Sequence, residues 1–67
     1  MNFMTIHYFL TLAEEKNFTR AAERLHVTQQ TLSGHIAAVE REVGMKLFSR
    51  HVPLELTDGG EVFYRYA

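Results

Sequence analysis

The sequence predicts a mainly α-helical domain of the winged helix-turn-helix class, with a three-helix core, a short two-stranded wing and the start of a fourth helix. Three observations support this prediction: two helical apolar patterns separated by a three-residue corner, a glycine after the second pattern, and an alternating segment after that glycine. The chain has 67 residues, of which 46% are apolar. This is enough for one small domain.

The first helix is predicted from Met4 to about Lys16. Its apolar side chains recur at steps of three and four residues and should form one buried stripe. The members of this stripe are Ile6, Phe9, Leu10 and Ala13.

The second helix is predicted to begin at a cap provided by Thr19 and to run through Leu25. Ala21 and Ala22 should face inward, because small side chains let two crossing helices approach closely. His26 follows as a corner residue, since histidine is one of the residue types enriched in the left-handed conformation.

Thr28 is predicted to cap the third helix, and Gly44 to end it with a left-handed residue. The buried stripe between them has steps of four, three and four residues. It consists of Leu32, Ile36, Val39 and Val43.

Alternation of Val52, Leu54 and Leu56 with Pro53 and Glu55 predicts a two-stranded ribbon. Thr57 should then cap a fourth helix that continues to the end of the chain. The predicted organisation is a winged helix-turn-helix domain over residues 1–57 and the start of a further helix over residues 58–67. Within the domain, the helix-turn-helix covers about residues 19–43 and the wing about residues 47–57.

Composition argues against several classes of function. The chain has no cysteine, which excludes disulfides and thiolate metal sites and fits a reducing, cytoplasmic setting. No apolar run is long enough to cross a bilayer, and no export signal is recognisable. The four histidines lack metal-ligand spacing, and no glycine-rich phosphate loop or activated serine is evident. We therefore expect neither an enzyme nor a cofactor.

The net charge of −1 is unusual for a nucleic-acid partner. Residues 16–51 nevertheless contain six lysines and arginines against three glutamates, so the middle of the chain is locally basic by three charges. Ordinary scatter of charge over a solvated surface is the alternative interpretation, and charge alone does not decide between the two.

The first turn of the third helix consists almost entirely of amides and hydroxyls, which is typical of a helix that enters the major groove of DNA. Gln29 is the first candidate for reading a base, because its amide can donate to and accept from adenine at once. The alternative is a solvated amide. Thr28, Thr31 and Ser33 are better interpreted as phosphate contacts or caps, and for Thr28 a cap alone is an equally good interpretation.

Three arginines, Arg20, Arg24 and Arg50, are candidate phosphate clamps. For Arg50 a structural ion pair with Glu40 is an equally good interpretation, which a separation above about 4 Å would exclude.

The sequence resembles the N-terminal DNA-binding domain of the LysR-type transcriptional regulators of bacteria. The resemblance runs from the first helix to the end of the chain. The matching residues are Tyr8–Phe9, Ala13–Glu15, Phe18–Gln29, Leu32–Ser33, Ile36, Glu40, Gly44, Leu47–Phe48, Arg50, Leu56–Thr57 and Gly60.

The resemblance implies a homodimer that binds an inverted-repeat operator in double-stranded DNA. It also implies that the fourth helix belongs to a long linker helix that forms the dimer, and that a small-molecule effector binds a separate C-terminal domain. On that basis we expect the chain to be an isolated or truncated domain.

The chain departs from the family pattern at several positions of the expected interface. Most members have proline at Gln30, where an amide could make an additional contact, and a basic or long polar pair at Gly34 and His35. His35 is either a cation kept protonated by a nearby phosphate or an exposed neutral ring.

The wing also departs from the pattern, because Val52, Pro53 and Leu54 stand where arginines usually reach the minor groove. Arg50 and His51 are the basic residues that remain near the wing. The alternative function is therefore a winged-helix module that binds proteins and has lost DNA binding.

Overall fold

The computed structural model describes residues 2–67 and contains, in that range, four helices and one two-stranded sheet. The elements are α1 (Phe3–Glu15), α2 (Phe18–Leu25), α3 (Gln29–Val43), β1 (Phe48–Ser49), β2 (Glu55–Leu56) and α4 (Asp58–Tyr66). Helices α2 and α3 form a helix-turn-helix, and the two strands form the wing. The fold class predicted from the sequence is thus confirmed.

Helix α2 is capped by Asn17. The Asn17 side-chain oxygen accepts a hydrogen bond from the Arg20 backbone N–H at 2.9 Å, and the Asn17 backbone is extended. The prediction that Thr19 caps this helix is wrong, because the helix begins at Phe18 and Thr19 already lies within its first turn. The hydroxyl of Thr19 is therefore available to another partner.

The turns that end the first three helices all use a left-handed residue: Lys16 with φ 53°, His26 with φ 60° and Gly44 with φ 78°. The predictions for His26 and Gly44 are confirmed. The backbone N–H groups of these residues donate back to carbonyls of the preceding helix, which satisfies acceptors at the helix end.

The core lies where α1, α2 and α3 meet under the base of the wing. Its largest fully buried apolar side chains are Phe9, Leu12, Leu32, Ile36, Val39 and Leu47. The three-and-four-residue stripe predicted for α3 is confirmed through Val39, and Val43 is half-buried.

The stripe predicted for α1 is wrong in part, because Ile6 and Leu10 are only half-buried. The buried face is rotated from the predicted one and includes Tyr8, Leu12 and two threonines. The threonines can join it because Thr11 donates to the His7 carbonyl at 2.9 Å and Thr5 donates to the Asn2 side chain at 2.9 Å. Their hydroxyls are satisfied locally, so their burial does not cost an unpaired polar group.

The wing and α4 are joined tightly. Phe48 pairs with Leu56 and Ser49 with Glu55 in an antiparallel register. Thr57 caps α4 as predicted, accepting from the Gly60 N–H at 3.0 Å, and its hydroxyl donates to the Lys46 carbonyl at 2.6 Å. A β-carbon at Gly60 would collide with the Leu47 carbonyl, so glycine permits this close approach of α4 to the start of the wing.

None of the helices within residues 2–67 combines the length and apolar character needed to cross a membrane.

Candidate nucleic-acid interface

The N-terminal turn of α3 projects from the folded body. Thr28, Gln29, Gln30 and Thr31 are all exposed. The Thr28 hydroxyl accepts from the Thr31 N–H at 3.0 Å and also bonds the Thr31 hydroxyl at 3.0 Å, which confirms the predicted cap. The first N–H groups of a helix lack intrahelical acceptors and carry the positive end of its dipole, so this turn favours an anionic ligand.

The exposed face of α3 continues through Gly34. An α-helix turns by about 100° per residue, which places Gly34 nearly opposite the buried stripe. No atom lies within 4 Å of the position that a Gly34 β-carbon would take. This part of the helix is therefore open to close approach by a ligand backbone.

One flank of this face forms a shallow cavity of about 330 Å³ with α2 and the wing. Its lining consists of Phe18, Gln29, Gln30, Ser33 and Arg50. Ser33 is half-buried there, whereas Gln29 and Gln30 are exposed. The structure thus brings together four of the residues that the sequence predicted for the site: two amides, one hydroxyl and one arginine.

Gln29 makes a defined contact in the free chain. Its side-chain nitrogen donates to the hydroxyl oxygen of Thr19 on α2 at 2.9 Å. The amide is exposed and has this one protein partner, so both the base-reading interpretation and the solvated-amide interpretation remain open.

His35 lies on the other flank of α3. Its half-buried ring meets Tyr8 of α1 edge-on, with 4.6 Å between ring centroids and an interplanar angle of 74°. The exposed neutral ring considered from the sequence is wrong as to exposure, because the ring packs against α1.

Glu40 and Arg50 form the ion pair that the sequence left as an alternative. Arg50 Nη2 lies 2.9 Å from Glu40 Oε1. The other carboxylate oxygen of Glu40 accepts from the Leu47 N–H at 2.8 Å and the Phe48 N–H at 3.3 Å. Glu40 is 5% exposed, and a buried carboxylate with several donors ties α3 to the start of the wing.

The guanidinium of Arg50 also lies over the ring of Phe18, 5.3 Å from its centroid. Arg50 is therefore held from two sides, with 38% of its side chain exposed. Its first role is to join the wing to α2 and α3, and part of its charge is compensated by Glu40.

Arg24 is compensated as well. Its Nη1 lies 2.7 Å from Glu14 and 3.2 Å from Glu15, both on α1. The hydrogen bonds that Arg24 donates to Glu14 and then to Glu15 raise the pKa of its guanidinium. Arg20 is exposed and forms no ion pair with another of residues 2–67. Of the three predicted clamps, Arg20 is thus the one whose charge is uncompensated.

The tip of the wing is apolar and exposed. Val52 is 96% exposed, and the neighbouring His51 and Pro53 are exposed too. His51 lines a second cavity with Phe18, Thr19 and Arg50 and is not among the residues that line the cavity at Gln29 and Gln30. Within residues 2–67, no cluster of three or more His, Cys, Asp or Glu is arranged to hold a metal ion.

Comparison with known proteins identifies relatives of this domain. The family of bacterial regulatory helix-turn-helix proteins of the lysR type matches residues 3–61. The HTH-type transcriptional regulator CatR of Pseudomonas putida is 47% identical over 64 residues, which cover 96% of this chain and 22% of CatR. The chain therefore spans about a fifth of the length of that relative.

Solved structures show the same architecture. The crystal structure of the BenM DBD in complex with benA site 1 DNA matches with a TM-score of 0.94 and 37% identity, covering 98% of this chain and 75% of that one. The CbnR DBD–DNA complex matches with a TM-score of 0.92 and 36% identity, covering 98% and 77%.

Proposed function

The chain belongs to the lysR family of bacterial regulatory helix-turn-helix proteins, and from this premise we propose that it binds double-stranded DNA sequence-specifically to regulate transcription. Helix α3 enters the major groove with its N-terminal turn first. The groove is about 12 Å wide and admits an α-helix.

The exposed polar turn from Thr28 to Thr31 is the observation that carries the proposal. Its side chains offer both donors and acceptors to base edges, and its N–H groups face a phosphate. The wing does not cover it. Gln29 and Gln30 read bases in this arrangement, Thr31 and Ser33 contact phosphates, and the open surface at Gly34 admits the wall of the groove.

Arg20 supplies the phosphate contact on α2, because its charge is not already used within the domain. Arg24 mainly joins α2 to α1, and Arg50 mainly joins the wing to α3. Both retain some attraction for phosphates. The chain's net charge of −1 makes local placement of cations, rather than total charge, the source of affinity.

A second copy of the chain completes the binding unit in this proposal. An apolar recess of about 310 Å³ opens between the end of α3 and α4, lined by Val43, Met45, Gly59, Val62, Phe63 and Tyr66. Tyr66 is 81% exposed and Val62 50% exposed, so the face can be covered by a partner helix. A homodimer formed through α4 binds two half-sites of an inverted repeat, about one helical turn of DNA apart or a multiple of it.

The proposal places the chain within a longer cytoplasmic regulator whose separate C-terminal domain takes a small-molecule effector. The length of CatR supports the proposal of a longer regulator, because the matched region covers 22% of CatR.

Titration of the chain with duplexes selected from a randomised library, over a range of salt concentrations, tests the proposed function. The logarithm of the binding constant should fall linearly with the logarithm of salt concentration, by about 0.9 for each phosphate contacted. Gln29→Ala should weaken binding to the selected duplex by about 5- to 150-fold, the loss of one bidentate base contact. Binding to random duplexes should change much less.

Two results would contradict the proposal. Binding that does not respond to salt, or that fails to prefer a selected inverted repeat, would favour a protein-binding winged helix instead. Equal losses for Gln29→Ala on selected and random duplexes would remove Gln29 as a base reader.

A further inference from the structure

The hydrogen bond between Gln29 and Thr19 joins the two helices of the helix-turn-helix at the proposed interface. Gln29 is the first residue of α3, and Thr19 is the second residue of α2. The Gln29 side-chain nitrogen donates to the Thr19 hydroxyl oxygen at 2.9 Å, and both residues are exposed. This bond does not serve the core.

The hydroxyl of Thr19 does not cap α2. Asn17 caps α2 through its own side chain, so Thr19 is not needed to begin the helix. An exposed side-chain hydrogen bond contributes little to folding stability, because water replaces it readily. The bond does give the amide one defined partner at the proposed interface.

We infer that Thr19 is a positioning residue that sets the base preference of Gln29, an inference that rests on the proposed function. The nitrogen of a glutamine amide carries two hydrogens. While one of them is donated to the Thr19 hydroxyl, as the structure has it, the amide presents its oxygen and its second N–H to the groove. That pattern complements the N6 donor and N7 acceptor of adenine.

This orientation matters because guanine differs from adenine at the same edge. Guanine presents two acceptors, O6 and N7, in the major groove. When the amide oxygen of Gln29 points into the groove, it faces O6 of guanine. Both atoms are acceptors, so this contact disfavours guanine. An amide that can turn over presents its NH₂ group to O6 instead, so losing the Thr19 hydroxyl relaxes discrimination between adenine and guanine.

Thr19→Val is the direct test, because valine keeps the branched shape and a similar helix propensity but lacks the hydroxyl. Thr19→Ser restores the hydroxyl, and Thr19→Ala provides a second way of removing it. The base pair read by Gln29 is first identified as the position at which Gln29→Ala loses its preference. Binding is then measured by fluorescence anisotropy on two duplexes, the selected one and one in which A·T at that position is replaced by G·C. Thermal unfolding of each variant is recorded alongside.

The wild-type chain and Thr19→Ser should both prefer adenine at that position. Thr19→Val and Thr19→Ala should lower the preference by about 3- to 10-fold, the range expected when one flexible side chain is no longer immobilised. In the Gln29→Ala background, Thr19→Val should have no further effect, since a positioning residue acts only through its partner.

Two outcomes overturn the inference, and they are distinguishable. If Gln29→Ala abolishes the preference for adenine while Thr19→Val leaves it intact, Thr19 does not position the amide and the proposed function stands. If the wild-type chain prefers no duplex over random DNA, the proposed function fails and the role of Thr19 fails with it.

Discussion

At the scale of single residues, the arginines differ in whether their charge has a partner within the domain. Arg24 faces two carboxylates of α1, and Arg50 faces the buried Glu40. Arg20 forms no ion pair with another of residues 2–67. A cation already paired must leave its carboxylate before it can neutralise a phosphate, and the salt dependence of binding counts the phosphates neutralised.

Arg20→Gln should therefore lower the steepness of the salt dependence of DNA binding by about 0.9, the value expected for one phosphate contact. Arg65 on α4 is the matched control, because it is also exposed but lies in the last turn of a different helix. Arg65→Gln should leave the slope unchanged. The measurement is a set of binding isotherms at several salt concentrations, and equal slopes for both variants would exclude a phosphate contact by Arg20.

Most residue-level predictions that succeeded concern local interactions, although the cap of α2 was assigned to Thr19 and is provided by Asn17. The caps at Thr28 and Thr57 and the left-handed residues His26 and Gly44 each depend on neighbours within a few positions. The partners of Arg24, Thr19 and His35 lie on other helices. Such partners depend on how the helices cross, which no local pattern specifies.

At the scale of elements, α3 combines a recognition surface with a structural one. Its N-terminal turn is exposed and polar, whereas its C-terminal half carries Glu40, which binds the start of the wing through two N–H groups. The helix also contains one glycine in its interior, Gly34, and one at its end, Gly44. Gly34 lies within the regular helix, whereas Gly44 has a left-handed backbone with φ +78°.

Alanine at these two positions should change stability in opposite directions. Gly34→Ala should raise the free energy of unfolding by about 0.5–1 kcal/mol, since its β-carbon meets nothing within 4 Å and glycine weakens a helix interior. Gly44→Ala should lower it by about 1–2 kcal/mol, because φ is +78° there. Urea unfolding measures both, and a change of the same sign in the two variants would contradict the explanation.

The amphipathic pattern predicted α3 better than α1. In α3 the buried positions are occupied by aliphatic residues that recur in strict order, whereas α1 buries Thr5 and Thr11 on the inner side. Because threonine can satisfy its hydroxyl within its own helix, it enters a core without appearing in an apolar pattern. The apolar pattern of α1 therefore predicts Ile6 and Leu10 on the buried face in place of the threonines, and both are only half-buried.

At the scale of the whole molecule, the wing base, the core and the helix-turn-helix form one connected support for a single projecting turn. Phe9 of the core contacts Phe48 of the wing and Phe63 of α4, with ring centroids 5.4 Å and 4.9 Å apart. The buried Glu40 and the part-exposed Arg50 join α3 to the wing. The N-terminal turn of α3 is thereby presented by a packed body, which favours a defined docking geometry over a flexible one.

The most direct test of the account is to map which backbone amides of the chain respond when a selected duplex is added, by two-dimensional NMR. We expect the largest chemical-shift changes at Thr28–Thr31 and at Ser33 and Gly34, with smaller changes at Arg20. Changes concentrated instead on α4 around Val62 and Tyr66, with the turn of α3 unaffected, would contradict the claim that this turn enters the major groove.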